Sequence, residues 1–336
     1  MAHTAVNCFA REETNMYYIY SAIAGSVEIG IICWAITHGM SPAEIIGFGV
    51  AYQLGNLVPV PYQPTRKDGI ASVVGCIALS AHILFGKSLF LEPFLLTTLI
   101  SATLQAIRGG CKEGTVRWKK RLCRVIGFAS AFLYRDCLVL CLTVVILVLI
   151  IGLNKIPDNQ RQLSIPKANR TMILHQMHYF SYSYIMLYLS YRSFGNLLLT
   201  ISSFVISWFT YLAVEPVLSK HDNNRWKKYL CVGHIGLGVA LLNIYVLVQY
   251  SEPAYLVLWW LSGLGGGTVF CIRSVETKKQ KGSINQQMWS WSENIGHIMG
   301  CLLALLWVST TGYVEGTIVF AAILAFATVW SVCRKG

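Results

Sequence analysis

Apolar residues run in blocks of 17 to 22 along this chain, separated by short polar stretches. A helix rising 1.5 Å per residue needs about 20 such residues to cross a hydrocarbon core of ~30 Å. The pattern predicts spans near 16–37, 42–61, 69–86, 92–109, 114–134 and 136–153, and again near 175–191, 195–215, 228–248, 254–272, 287–308 and 313–332. The fifth differs from the rest: its start, "GTVRWKKRLCR", is heavily charged and only its second half is apolar. Without it, eleven spans remain and the C-terminus changes sides. One start is marked by local chemistry. In "HGMSPAEIIGF", Ser41 can cap a helix, Pro42 suits the first helical position, and Glu44 completes a capping box. The fold class is therefore all-α, a polytopic membrane protein of about 12 transmembrane helices.

Composition agrees. Of 336 residues, 12% are charged and 55% hydrophobic, with mean hydropathy +0.54; a soluble domain carries about twice that charge. The formal net charge of +12 would suggest nucleic acid in a soluble protein, but the distribution of the basic residues accounts for it. With the N-terminus in the cytoplasm, 24 of the 27 Lys and Arg residues fall inside and only Lys87, Arg135 and Arg192 fall outside, as the positive-inside rule demands. Both termini are expected in the cytoplasm, in the cytoplasmic membrane. The first residues, "MAHTAVNCFAREETN", lack the marks of a secretory signal peptide, so an unprocessed chain is expected. The 11 cysteines are scattered, with no C-x-x-C, and read as buried apolar thiols.

"TLQAIR" at 103–108 and "TVFCIR" at 268–273 both close the fourth span of a set of six, at the same face. Six spans per set give the two sets the same orientation, the parallel-repeat arrangement of some transporters. The expected organisation is an N-terminal six-helix half over 1–153, a cytoplasmic linker over 154–171 and a C-terminal six-helix half over 172–336. The "NRT" at Asn169 lies in that linker, on the wrong side for glycosylation.

The stretch "HGMSPAEIIGFGVAYQLGNLVPVP" and the loop "YQPTRKDGIA" after it resemble the second helix and following cytoplasmic loop of the major facilitator superfamily. That family's loop signature, G-x-L-a-D-R-x-G-R-R/K, is degenerate here. Thr65-Arg66 stands where the family has Asp-Arg, and in the second half "EPVLSKHDNNRWKK" puts Lys220 where an Asp belongs. The resemblance implies two halves rocking about a midplane site, with the first helix of each half lining a cavity. In the family the signature loop clamps the outward-facing state through charge and helix dipoles. Arg66, Arg108, Arg225 and Arg273 are the candidates here for that conformational role, or for setting topology.

Intramembrane ionisable residues mark ion or substrate paths, because a carboxylate at membrane depth costs at least ~2.5 kcal/mol. Glu28, in the middle of the first span, is the leading proton-coupling candidate; its alternative role is packing against a neighbouring helix. Glu293 and His297, one turn apart in span eleven, can share a proton. Gln53, Asn56 and Gln105 are candidate solute contacts, joined by His178 and Tyr182 of the Tyr-rich span seven. His175 and His178 lack a third ligand in the sequence pattern, so no metal is assigned. The glycines of "SGLGGGTVF" allow close helix approach or a bend.

No Walker loop, H-E-x-x-H or G-x-S-x-G occurs, which removes ATP drive and common hydrolase chemistries. The expected function is secondary active transport of a small molecule: proton-coupled efflux of an amphiphilic or aromatic metabolite, drug or siderophore by a monomer in a lipid bilayer, without cofactor, enzymatic activity or nucleic acid. The alternatives are a polytopic membrane enzyme acting on lipid through His175/His178 or Glu293/His297, and a transport-inactive sensor or assembly partner in which Glu28 is packed against a neighbour and closed to water.

Overall fold

The computed structural model describes residues 2–85, 91–111, 117–158, 165–218, 225–271 and 284–334, and side chains from residue 15 onward except 117–120 and 284–287. These residues form twelve α-helices: α1 (Ala2–Thr37), α2 (Pro42–Leu57), α3 (Arg66–Phe85), α4 (Glu92–Gly110), α5 (Arg117–Ala129), α6 (Tyr134–Gly152), α7 (Arg170–Phe194), α8 (Leu197–Leu218), α9 (Trp226–Gln249), α10 (Tyr255–Gly267), α11 (Ile284–Thr311) and α12 (Gly316–Cys333). No strand occurs among the described residues. Among the described residues, seven segments are long and apolar enough to cross a membrane on their own. In the fifth predicted span, α5 runs through a 3-10 turn, Ser130–Leu133, into α6, so one apolar segment covers Arg121–Lys155.

Helix starts follow the local chemistry. The Ser41 amide and hydroxyl both donate to Glu44 Oε2, each at 2.7 Å, which is the expected capping box. Asn169 Oδ1 accepts from the Met172 amide at 3.1 Å, so the sequon asparagine is the cap of α7. At the other end of α7, Gly195 takes φ +61° and its N–H bonds the Tyr191 carbonyl at 2.7 Å. That left-handed C-cap is a position glycine fills without steric cost.

Two compact units emerge. One comprises Met1–His38 with Ala51–Ile165, the other Gly39–Val50 with Pro166–Gly336. Within the first, α1 packs on α5 and α6, and α3 packs on α4 and α6. Within the second, α7 packs on α11 and α12, and α9 on α10 and α12. Each of these pairings in the first set of six has its counterpart six helices later, so the repeat suggested by two short words is present in the packing. The first helix of each set is the enclosed one: the α1 span is 72% buried against 17% for α3, and 16 of the 25 residues of α7 are buried. Enclosure is what lets α7 carry buried His175, Gln176, His178, Ser181 and Ser183, since polar groups at this depth need protein partners. Outer faces are apolar, with Leu140, Ile151, Leu198, Val232 and Leu306 all exposed.

Backbone contact holds α10 in place. A methyl group at Gly263 would strike the Ser207 carbonyl oxygen, one at Gly267 the Tyr211 carbonyl oxygen, and one at Gly265 the Gly233 carbonyl oxygen. The glycine run therefore seats α10 between α8 and α9 by close approach. The cysteines among the described residues are free thiols; Cys33, Cys76, Cys111, Cys271 and Cys301 are buried as expected, whereas Cys137 and Cys333 are exposed.

Candidate functional site

Small residues on α1 and α5 create the first polar cluster. A side chain at Gly25 would collide with the Arg124 carbonyl oxygen, and one at Gly127 with the Ala22 carbonyl oxygen, so the two helices touch backbone to backbone. Ser130 adds a hydroxyl bond to Ser26 at 2.8 Å. This approach brings the Arg124 guanidinium onto Glu28, with Nη2 2.5 Å from Oε2. The other carboxylate oxygen, Oε1, accepts from Gln53 Nε2 at 3.0 Å. Gln53 Oε1 in turn accepts from Asn56 Nδ2 at 3.4 Å.

Glu28 is only 4% exposed, and Gln53 and Asn56 are buried beside it. Arg124 retains 22% exposure and lies over the Phe128 ring at 5.9 Å. Three of the residues singled out from the sequence thus meet in one network spanning α1, α2 and α5. Gln105 lies half-buried on α4. In the sequence alone Arg124 reads only as a topological charge; the signal for it is local, an arginine one helical turn before Gly127 and Phe128 on the face that meets α1.

The second cluster is aromatic and imidazole-rich. His175 and His178 of α7 converge with His234 of α9, offering one ring nitrogen each within 4.8 Å of one another. The third imidazole that the sequence pattern lacked comes from a different helix, 56 residues beyond His178. His175 Nδ1 is 2.9 Å from His234 Nε2, and His234 Nδ1 is 3.0 Å from the Leu230 carbonyl. Rings continue outward: Tyr182 against His178 at 6.4 Å, Tyr179 against Trp208 at 5.6 Å, and Tyr211 against Trp208 at 5.4 Å. His297 Nε2 lies 3.0 Å from Gln176 Oε1, with its ring 4.0 Å from Phe180. Glu293 is half-buried on the same helix.

No known family profile matches the sequence, and no curated protein matches it. Solved structures do. The nucleoside transporter NupG, at 12% identity and a TM-score of 0.59, aligns over 97% of this chain and 98% of its own, and a point mutant of NupG aligns at 13% identity with the same score. The human organic anion transporter MFSD10 aligns over 96% of this chain and 98% of its own, at 12% identity and a TM-score of 0.52. The chain has the major facilitator fold. It is a multi-pass membrane protein.

In this facilitator fold the degenerate signature loop has a local role. The Thr65 amide and hydroxyl both donate to Asp68 Oδ2 at 2.8 Å, making a capping box at the start of α3, and the Tyr62 hydroxyl adds a bond at 3.2 Å. The Asp68 charge beside Tyr62 holds its phenol above the usual range. Arg66 opens α3, exposed, its N–H donating to the Pro157 carbonyl at 3.0 Å. Arg225 sits at the start of α9, exposed. Arg108 lies in the last turn of α4, where a cation favours the helix dipole. Arg273 lies outside the described residues.

Proposed function

We propose that this protein is a proton-coupled secondary transporter of a small aromatic or amphiphilic solute, with Glu28 as the coupling carboxyl and export as the direction. The observation that carries the reading is the Glu28–Arg124 pair, in which a carboxylate buried in the first helix of a facilitator fold meets a partly exposed arginine of α5. A proton on Glu28 cancels the charge that holds Arg124, so the protonation state of one carboxyl is tied to the arrangement of α1, α2 and α5. Removing one member of such a pair leaves a charge without compensation, which makes a device of this kind responsive to a single proton. Gln53 and Asn56 beside it, and Gln105 on α4, supply uncharged hydrogen-bonding groups for a solute. His178 and Tyr182 supply rings. Glu293 and His297 of α11 are the second candidates for proton coupling.

The test is flux in reconstituted vesicles under an imposed pH gradient of either sign. The pools include nucleosides and organic anions, the solutes named for the two similar structures, together with aromatic amphiphiles. Gradient-driven flux that Glu28→Gln abolishes while solute binding survives supports the reading; flux unchanged by that substitution removes Glu28 from the role. The burial of Glu28 also favours a second reading, a transport-inactive sensor, in which the pair is structural. That reading requires no flux for any pool in either direction.

A further inference from the structure

We propose that His175, His178 and His234 form a binding site for a first-row transition-metal ion of the zinc class, held by three imidazoles inside the second unit. All three residues are buried, His175 at 2%, His178 at 1% and His234 at 0% exposure. Their donor atoms lie within 4.8 Å of one another. A tetrahedral ion with Zn–N bonds of ~2.0–2.1 Å holds its ligand nitrogens about 3.3 Å apart, so the closest pair, at 2.9 Å, opens slightly and the third nitrogen moves in by up to about 1.5 Å.

The His234 protonation pattern suits ligation, while His175 Nδ1, which donates to His234 Nε2, passes its proton to its own Nε2 side when an ion takes the place of that bond. A carbonyl oxygen only accepts, so the bond at 3.0 Å between His234 Nδ1 and Leu230 O places the proton on Nδ1 and leaves the Nε2 lone pair facing His175. The Thr268 hydroxyl donates to Gly265 O at 2.6 Å and can accept from the same Nδ1 at 3.2 Å, so both neighbours favour that tautomer. This backbone-anchored imidazole is the usual outer support of a metal-ligating histidine. His178 Nδ1, meanwhile, is buried with no hydrogen bond of acceptable geometry among the described residues. A poorly satisfied buried nitrogen is costly, and an ion among the three imidazoles gives the rings a common partner.

Three nitrogen ligands leave at least one coordination position open, which a water or a donor atom of a solute can fill. The rings of Tyr182 beside His178 and Tyr211 beside His175 make the surroundings of the cluster aromatic. The inference is independent of proton-coupled transport, since it concerns metal occupancy and not flux.

The experiment uses the full chain purified in detergent without a histidine tag, stripped with chelator, and titrated with Co2+ as a spectroscopic substitute for Zn2+. Expected are one Co2+ per chain, intense visible bands of a tetrahedral nitrogen-ligated ion, and their loss on adding Zn2+. His178→Asn and His234→Gln are each expected to weaken binding at least about 100-fold, whereas His82→Asn, at an exposed histidine on α3, leaves it unchanged. Absence of stoichiometric Co2+ binding to the unaltered protein overturns the proposal, as does binding that persists in both cluster variants. Where a cluster variant fails to fold, judged by gel filtration in chelator, the spectrum of the unaltered protein decides: tetrahedral bands support the site, and octahedral or no bands overturn it.

Discussion

Gly25 on α1 meets the main chain of Arg124 on α5 with no room for a methyl group between them. The same contact that fixes the helix separation delivers the arginine to Glu28.

Replacing Gly127 with leucine therefore forces α5 off α1, because the new side chain would overlap the Ala22 carbonyl. Overpacking typically costs ~1–3 kcal/mol, and more where backbone must move. A lower thermal midpoint in detergent and a reduced yield of monodisperse protein are expected; an unchanged midpoint would show that α5 is free to slide.

Glu28→Gln should destabilise the folded protein by about 2–3 kcal/mol. That is below the ~3–5 kcal/mol for breaking a wholly buried pair, because Arg124 keeps 22% exposure and solvent relieves part of the cost. Adding Arg124→Gln should return much of the loss, as two neutral amides leave no charge behind. Thermal unfolding of the two single variants and the double variant gives the coupling, and strict additivity would remove the pair from the account of stability.

At the start of α3, Asp68→Ala removes the acceptor for both the Thr65 amide and hydroxyl. The loss of such a cap is worth ~1 kcal/mol, which for a protein of this size lowers the midpoint by about 1–3 °C. Thr65→Val, which keeps the volume and the amide donor, should cost less. An equal effect of the two would place the main contribution on the hydroxyl.

Gly263→Val is expected to be among the most damaging single changes, since the side chain meets both the Ser207 carbonyl and Thr210 Oγ1. Gly236→Val, on α9 with open space around its Cβ position, should be tolerated apart from propensity. Comparing folded yields of the two separates a packing role for the α10 glycines from a general sensitivity to lost glycine.

Local chemistry is readable in the sequence and remote pairing is not. The Ser41–Glu44 box spans three residues, and periodicity places the α3 and α4 bounds within a few residues, because both depend on neighbours along the chain. The charged start of α5 sets it apart in the sequence, but nothing local shows that its apolar half continues into α6. Arg124 and His234 are illegible as site residues because their partners lie 96 and 59 residues away. A lone arginine beside an apolar run reads as a topological charge, and a lone histidine in such a run reads as a polar residue in search of a bond. Only the folded chain shows which helix supplies the other half.

The two oxygens of Glu28 are engaged by different helices, Oε1 by Gln53 and Oε2 by Arg124. Because an uncompensated charge at this depth is penalised from either side, the acid and the base are under joint selection. Descent should keep them together, exchange them together or lose them together. Such a pair, 96 positions apart, is a mark that can be looked for even between chains too distant to be matched by overall identity. It offers a criterion for sorting distant chains of this fold into lineages.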